Sequence, residues 1–319
     1  MPVAVRIPFE PQVGFAGDWR CVTAQVIRSW ITGRVSSMAM AADHSAIEWT
    51  EATWNPTSGC TKVSPGCDRC YAERVTHRFP KTFPNGFNLT VRTDALDVPL
   101  RWKRPRVIFV NSMSDLFHKD VPDSYLQLVF DVMRRTPQHT YQILTKRAER
   151  LARAAARLPW PENVWMGVSV ESQDYVWRMD YLRRVPAAVR FVSAEPLLGA
   201  LPQLNLSGIH WLIAGGESQS GCRRAELRWF RDLRDQCIEN AVAFFLKQLG
   251  GHPSKRGGDE AVLDGRRWTQ MPVLPTATVG LNPSPSPFSA TTGGWQFSRR
   301  SVPPSYSLPR SRVNRVEFP

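Results

Sequence analysis

Short, almost continuous apolar segments recur through the middle of this chain, each four or five residues long. They lack the alternation of a strand that has one face in water, so they predict strands buried on both faces, as in a parallel sheet. A run at 47–50 predicts a further strand before them. The other segments are 107–110, 140–144, 164–168, 189–192, 210–214 and 242–246.

Apolar residues at helical spacing separate these predicted strands. One helix is predicted to begin at Pro122 and Asp123, which form a favourable helix start. The last stripe includes Cys237, which we interpret as a small hydrophobic core residue. The stripes are Leu126, Val129, Phe130 and Met133; Leu151, Ala154, Ala155 and Leu158; and Leu227, Phe230, Leu233 and Cys237. Alternating strands and helices predict an α/β fold, an open or partial (β/α) TIM-like barrel of about six to seven parallel strands.

The composition changes towards both ends of the chain. From residue 273 onward Pro, Ser, Thr and Gly dominate, and such a segment cannot bury enough apolar surface to fold. We therefore predict a disordered basic tail at 273–319, a barrel domain at 44–272 and an N-terminal extension at 1–43. No apolar run approaches the roughly 20 residues that span a bilayer, and no signal peptide is visible, which predicts a cytoplasmic protein away from membranes.

Polar residues follow every predicted strand at its carboxyl end, where a barrel carries its chemistry. A single residue of this kind can have a purely structural role. Asp115 could begin a turn, Glu195 could pair with a lysine across the barrel, and 215–216 could form a tight turn. Their recurrence at one rim predicts a single polar cleft. The residues are Asn111, Ser112, Ser114 and Asp115; Lys146; Ser169 and Glu171; Glu195; Gly215, Gly216 and Glu217; and Lys247 and Gln248.

Three cysteines, Cys60, Cys67 and Cys70, lie with the spacing C-x6-C-x2-C in a loop rich in Pro and Gly, here called the cysteine loop (residues 59–70). Thiolates favour iron–sulfur clusters or zinc. Three thiolates on a four-iron cluster would leave one iron open to a small molecule. The alternatives are a structural Cys3His zinc site with His77 as the fourth ligand, and cysteines that bind no metal.

The formal net charge is +13, of which +7 lies in residues 44–252, so the excess is spread along the chain. This charge permits a nucleic-acid partner without requiring one. A basic run around Trp102 combines cations with a ring that could stack on a base. It precedes the strand at 107–110, so in a barrel it would lie on the edge opposite the cleft. Its cations are Arg101, Lys103, Arg104 and Arg106.

The run from Ile47 to Glu73, which contains the three cysteines, resembles the phage Gp37/Gp68 family. That family has unknown function and is similar to a divergent branch of the radical S-adenosylmethionine (SAM) enzymes. The resemblance covers about residues 44–272. Later blocks that extend it are 109–117, 144–147, 167–171, 195–198, 215–218, 245–248 and 263–266.

The resemblance implies a [4Fe-4S] cluster on Cys60, Cys67 and Cys70 and reductive cleavage of SAM to a 5'-deoxyadenosyl radical, to modify or repair a substrate. It also implies a reductant such as flavodoxin or ferredoxin, and a nucleic acid is one candidate substrate. By position, 111–115 would hold the methionine amino group, and Ser169 and Glu171 would meet the ribose hydroxyls. Glu195, Gly215, Gly216 and Glu217 would line the adenine or substrate side. Lys146, Lys247 and Gln248 would meet the substrate.

Two other classes of function stay open on the sequence. One is a zinc-stabilised nucleic-acid-binding protein without catalysis. The basic charge and the twelve tryptophans, which could stack on bases, favour this class. The other is a metal-dependent hydrolase on the same barrel, with Asp115, Glu171 and Glu195 as ligands. Histidine is scarce at the predicted strand ends, and His118 is the nearest.

Overall fold

An eight-stranded sheet carries the fold of this protein, whose structure is a computed structural model describing residues 41–42, 45, 47–218, 220–251 and 257–273. The strands are β1 (Ala41–Ala42), β2 (Ala52–Trp54), β3 (Thr57–Ser58), β4 (Thr90–Val91), β5 (Val107–Val110), β6 (Thr140–Thr145), β7 (Val164–Ser169), β8 (Val189–Ala194), β9 (Trp211–Gly215), β10 (Ala243–Gln248), β11 (Val262–Leu263) and β12 (Arg266–Arg267). The α-helices are α1 (Tyr71–Arg78), α2 (Val98–Arg101), α3 (Asp123–Arg135), α4 (Ala148–Ala155), α5 (Arg178–Leu182) and α6 (Leu227–Glu239).

The main sheet has the order β1-β2-β5-β6-β7-β8-β9-β10. Its seven strands from β2 to β10 are parallel, and β1 pairs antiparallel with β2 at one edge. Helices connect most of the parallel strands, and the sheet curls into a half-barrel. The predicted open α/β barrel is therefore confirmed. Two small antiparallel pairs, β3 with β4 and β11 with β12, lie outside the main sheet.

Alternate residues along the central strands point to two different cores. On β9, Leu212 and Ala214 pack under the helices, whereas Trp211 and Ile213 join an aromatic cluster on the opposite, concave face. Helix α6 packs against β9 and β10 with Phe230, Leu233 and Cys237 fully buried. The prediction that Cys237 is a core residue is therefore confirmed.

Several boundaries differ from the sequence-based prediction. The run 47–50 is not a strand, because the Thr50 amide bonds to the Ile47 carbonyl at 3.1 Å and closes a turn; the first parallel strand is β2. Leu158 is buried but lies beyond the end of α4, and Leu227 begins α6 with an exposed side chain. The predicted extension and tail fall almost wholly outside the described residues, except that 41–42 form β1.

The edge strand β10 is covered by the segment that follows it. The Leu246 amide donates to the Trp268 carbonyl at 2.8 Å, and the Gln270 amide donates to the Phe244 carbonyl at 3.1 Å. This segment satisfies backbone groups that an open edge would leave unpaired. In the described part of the chain, no helix has the length and apolar character that crossing a membrane requires.

Candidate functional site

A cavity of about 600 Å³ opens at the carboxyl ends of the parallel strands, under the cysteine loop. Its size lies within the usual range of small-molecule sites. All but two of the residues predicted for the rim line it, and the exceptions are Glu171 and Gly215. Those that line it are Cys60, Cys67, Cys70, Asn111, Ser112, Ser114, Asp115, Lys146, Ser169, Glu195, Gly216, Glu217, Lys247 and Gln248.

The backbone of the cysteine loop is fixed at both ends. Before Cys60, Gly59 has φ +78°, and a β-carbon there would lie 2.5 Å from the Asn88 carbonyl carbon, so only glycine fits. The Cys60 amide donates to the Phe87 carbonyl at 2.9 Å. Cys67 ends a single 3-10 turn, and Cys70 occupies the position just before the first residue of α1. All three thiols therefore reach the same cavity from one loop.

Burial raises the pKa of the Cys60 thiol to about 11, and the nearby Asp115 carboxylate adds to the rise. The Arg147 guanidinium opposes this rise by its charge and by a hydrogen bond. Without a ligand to neutralise it, the Cys60 thiolate is thus disfavoured in this site.

Asp115 is buried and accepts hydrogen bonds from four donors at the end of β6 and in its own loop. Arg147 bonds to Asp115 Oδ2 at 2.9 Å and, through its other terminal nitrogen, to the Thr61 carbonyl at 2.9 Å. The carboxylate thus holds the first part of the cysteine loop through Arg147. The four donors are the amides of Phe117 and Lys146, the Thr145 hydroxyl and Arg147 Nη1.

Glu171 lies beneath the cysteine loop, outside the cavity lining. Its Oε1 accepts a 2.6 Å hydrogen bond from Ser64 and lies 3.6 Å from Lys146 Nζ, while Oε2 accepts a 2.7 Å bond from Arg178. Gly66 packs directly on this carboxylate. Oε1 thus contacts the cysteine loop and Oε2 pairs with Arg178 of α5, and the contact of Glu171 with ribose hydroxyls stays a prediction.

Glu217 lines the cavity and holds the last part of the cysteine loop. Arg69 bonds to its Oε2 at 3.0 Å, and Arg223 bonds to both oxygens. Arg223 also donates to the Pro65 carbonyl at 2.9 Å. Burial alone would raise the pKa of Glu217, but the hydrogen bonds from Arg223 and Arg69 hold that pKa below its usual range.

Across the cavity, Glu195 at the end of β8 pairs with Lys247 near the end of β10, with 2.5 Å between Lys247 Nζ and Oε1. Gln248 donates to the same oxygen at 3.3 Å. A lysine therefore does pair with Glu195 across the barrel. Gly215 leaves room for this carboxylate, since a β-carbon there would lie 3.1 Å from Glu195 Cγ and Cδ.

Three buried polar atoms of cavity-lining residues have no hydrogen-bond partner within the described residues: Trp49 Nε1, Asn111 Oδ1 and Ser169 Oγ. Asn111 Nδ2 donates to the hydroxyls of Thr57 and Ser114 at 2.5 and 2.7 Å, so the side-chain orientation is fixed. Buried polar atoms are costly to leave unpaired, and such atoms in a cavity indicate a polar ligand.

The residues expected as ligands in the other two functional classes lie apart from one another or pair with cations. Within the described ranges, no three His, Cys, Asp or Glu side chains, the three cysteines of the loop included, lie close enough together to hold a single metal ion. His77 is exposed on α1 and does not line the cavity. Asp115, Glu171 and Glu195, expected as hydrolase ligands, are each paired with different cations.

Sequence reasoning missed the residues that hold the cysteine loop. Ser64, Arg178 and Arg223 had no recognisable signal, because their partners are set by the tertiary fold. Gly66 and Arg69 lie between the cysteines, where the sequence pattern indicates only a loop. Arg147 directly follows the rim residue Lys146, but nothing in the sequence pattern indicates its partner.

A family described as a protein of unknown function (DUF5131) has a sequence model that matches residues 44–272. The chain belongs to this family. The prediction of a family of unknown function over about these residues is thus confirmed, whereas the name phage Gp37/Gp68 stays a prediction for this DUF5131 protein. No curated protein matches it.

Two solved structures of spore photoproduct lyase are similar to the DUF5131 protein. A double mutant of the lyase with bound AdoMet and a dinucleoside spore photoproduct has 15% identity and a TM-score of 0.37, covering 60% of this chain and 62% of that chain. The lyase complexed with the dinucleoside spore photoproduct has 14% identity and a TM-score of 0.38, covering 61% and 63%. The match spans less than two-thirds of either lyase chain, and similarity at this level assigns no activity.

Proposed function

We propose that this protein is a radical SAM-like enzyme in which Cys60, Cys67 and Cys70 hold a [4Fe-4S] cluster and the adjoining cavity binds SAM. The observation that carries the proposal is that three thiols of one loop line the same cavity as the polar ends of the parallel strands. Soft thiolate ligands suit an iron–sulfur cluster.

The residues present fit such a group. Three thiols of one loop line one cavity, and thiolates are the ligands that iron–sulfur clusters take. When bound, the cluster would supply one electron that breaks a carbon–sulfur bond of SAM.

The chain's own residues bind and orient the ligand in this proposal. Asn111 Oδ1 accepts a hydrogen bond from the ammonium group of SAM, and the Ser169 hydroxyl bonds to a ribose hydroxyl. Both atoms are buried and lack a protein partner among the described residues, so a ligand that pairs them gains the bonds at little further desolvation cost. Trp49 and Phe109 line the cavity and exclude water from its apolar part.

The remaining groups serve the substrate side. Lys247, Lys146 and Gln248 meet the substrate, and Glu195 fixes the position of the Lys247 ammonium through their 2.5 Å contact. A cytoplasmic location keeps the thiols reduced, and a flavodoxin or ferredoxin supplies the electron. We also propose that the protein is related to the phage Gp37/Gp68 family.

Anaerobic reconstitution with iron and sulfide tests the proposal. The full chain is expected to turn brown, to absorb broadly near ~400 nm and, with dithionite and SAM, to release 5'-deoxyadenosine. Alanine at Cys60, Cys67 or Cys70 should remove most of the iron, whereas Cys222→Ala, which changes a half-buried free cysteine outside the loop, should keep it. Full iron content in Cys67→Ala, or an intact cluster that neither binds nor cleaves SAM, would contradict the proposal.

A further inference from the structure

A second concavity, of about 330 Å³, lies on the outer side of the cysteine loop. It is formed by residues of that loop, of the loop after β5, of α4 with the segment before it, and of the segment before α5. We refer to it as the outer groove. Six of its lining residues are Lys or Arg, and Glu149 is the one acidic residue among them.

Neighbouring carboxylates neutralise part of this positive charge. Arg147 is held by Asp115, and Arg178 by Glu171. Arg150 pairs with Asp123 at 3.1 Å. Because their charges are paired, these three cations contribute to the walls of the groove but add little net positive charge for an anionic ligand.

Three cations keep positive charge directed at the outer groove. Lys119 has a side chain that is 79% exposed, and its nearest acid contact is Asp120 at 4.0 Å. Arg153 is exposed and makes no ion pair with an acidic side chain in the described part of the chain. Lys146 shares the single charge of Glu171 with Arg178, so that group retains a net positive charge.

An exposed aromatic residue lies among these cations. Trp177 is 40% exposed, although most tryptophans of the fold are buried. The Arg178 guanidinium carbon lies 5.7 Å from the Trp177 ring centre and 4.2 Å from the Tyr175 ring centre. These two contacts stabilise this wall of the groove. An aromatic face beside several cations suits stacking of a base next to its phosphate.

The outer groove adjoins the main cavity, because Lys146 and Arg147 line both. A ligand in the groove would therefore lie beside two residues of the main cavity. A linear polyanion with repeating phosphates and flat bases matches this arrangement of charge and aromatic surface.

We propose that the outer groove binds single-stranded nucleic acid, with phosphates on Lys119, Lys146 and Arg153 and one base stacked on Trp177. The proposal deepens the proposed function, on which it rests for the reaction that the bound strand would meet in the main cavity. The basic run around Trp102 has a different position, since it precedes β5 at the opposite edge of the sheet.

Fluorescence anisotropy with a labelled single strand of about ten nucleotides, a length within known single-strand site sizes, tests the proposal on the full chain. The titration uses no SAM or reductant and is repeated at raised salt. Binding should weaken as salt rises, because each phosphate contact releases counterions. Trp177→Ala should weaken binding about tenfold while Trp177→Phe keeps most of it, since stacking on an aromatic face is lost only in the first.

The charge-reversed pair Lys119→Glu and Arg153→Glu should weaken binding about tenfold or more and flatten its salt dependence. The matched control reverses Arg101 and Arg104, two exposed cations at the far edge, and should leave the affinity within about twofold of wild type. SAM cleavage is assayed separately and reports on the proposed function. Strand binding in the outer groove and SAM cleavage can therefore be contradicted independently of each other.

Three results would overturn the proposal: no binding of the strand at low salt, equal losses in the groove and control variants, or displacement by an acidic peptide as effective as by unlabelled strand. The last outcome would indicate a protein partner. Circular dichroism of each variant confirms that the surface substitutions leave the fold intact.

Discussion

The Ser64 hydroxyl donates a 2.6 Å hydrogen bond to Glu171 Oε1, and this contact joins the middle of the cysteine loop to the residues that follow β7. Asp115 and Glu217 hold the two other parts of the loop through Arg147 and through Arg69 with Arg223. Three carboxylates after three different strands thus fix one loop. A loop held in this way presents its thiols with little conformational freedom, which favours binding of a rigid ligand.

Gly66→Ala should disturb the cysteine loop, because the added methyl group would lie 2.6 Å from Glu171 Cγ and closer still to Oε1. We expect a loss of about 1–3 kcal/mol in the free energy of unfolding, typical of an overpacked site. Iron content after reconstitution should fall as well. Urea denaturation and iron analysis measure the two effects.

Gly199→Ala is the matched control for this substitution. A β-carbon there would meet only Ser172 Cβ at 3.6 Å, an ordinary contact. If Gly66→Ala behaves like Gly199→Ala in both assays, the close packing of Gly66 on Glu171 does not position the loop.

The stability that Glu217 contributes should depend on pH. Its folded pKa is lowered, so the contribution is fully present above the unfolded pKa, about 4.3, and is lost as the pH falls through the folded pKa. Glu217→Gln should therefore cost about 2 kcal/mol at neutral pH, the usual loss for hydrogen bonds to a charged group. The difference from wild type should shrink below about pH 4.

Urea denaturation at several pH values measures this difference. Glu226→Gln, which removes an exposed carboxylate paired with Arg228, should change stability by less than about 1 kcal/mol at every pH. A Glu217→Gln deficit that is constant from neutral to acidic pH would show that the ion pair is not its cause.

Much of the fold could be predicted because six of its seven parallel strands are short apolar runs bounded by polar residues. The first strand could not, since Ala52–Trp54 is three residues long, and the more apolar run before it forms a turn that places Trp49 in the aromatic cluster. Two-residue strands such as β3 carry no pattern that periodicity could detect.

The position of the cavity could be predicted for the same reason, since carboxyl ends of parallel strands meet at one edge. The roles of its carboxylates could not. Glu217 pairs with Arg69, which is distant in sequence. Glu171 pairs with Arg178, which lies seven positions later, after the segment that connects Glu171 to α5. Such pairings depend on how the loops fold back, which spacing does not encode.

Ser169→Ala should separate ligand binding from stability. The Ser169 hydroxyl is buried without a partner among the described residues, so its removal should leave the free energy of unfolding unchanged or slightly higher. If it bonds to SAM, the affinity should fall about tenfold, the value of one hydrogen bond of about 1.4 kcal/mol. Ser172→Ala, which lies outside the cavity lining, should leave the affinity unchanged. Calorimetric titration of the reconstituted protein measures the affinity, and equal affinity in wild type and Ser169→Ala would remove Ser169 from the site.

Asp115→Asn should be the most damaging single change of a carboxylate in this site. An amide nitrogen would replace one acceptor oxygen and would face Arg147 and the Lys146 amide, which are themselves donors. The buried guanidinium would lose its counter-charge, and breaking such a pair costs about 3–5 kcal/mol. The Thr61 side of the cysteine loop would lose its support, so iron content after reconstitution should fall.

A double-mutant cycle with Arg147→Met tests the cause of this loss. The double variant should recover part of the stability that Asp115→Asn loses, because it leaves no unpaired buried charge. Asp131→Asn serves as the surface control, since Asp131 pairs with Arg134 on the exposed face of α3, where a pair is worth about 0–1 kcal/mol. Urea denaturation gives the free energies, and unchanged m-values show that the same surface is exposed on unfolding. Equal losses in Asp115→Asn and Asp131→Asn, or additive effects in the cycle, would mean that Asp115 does not support the loop through Arg147.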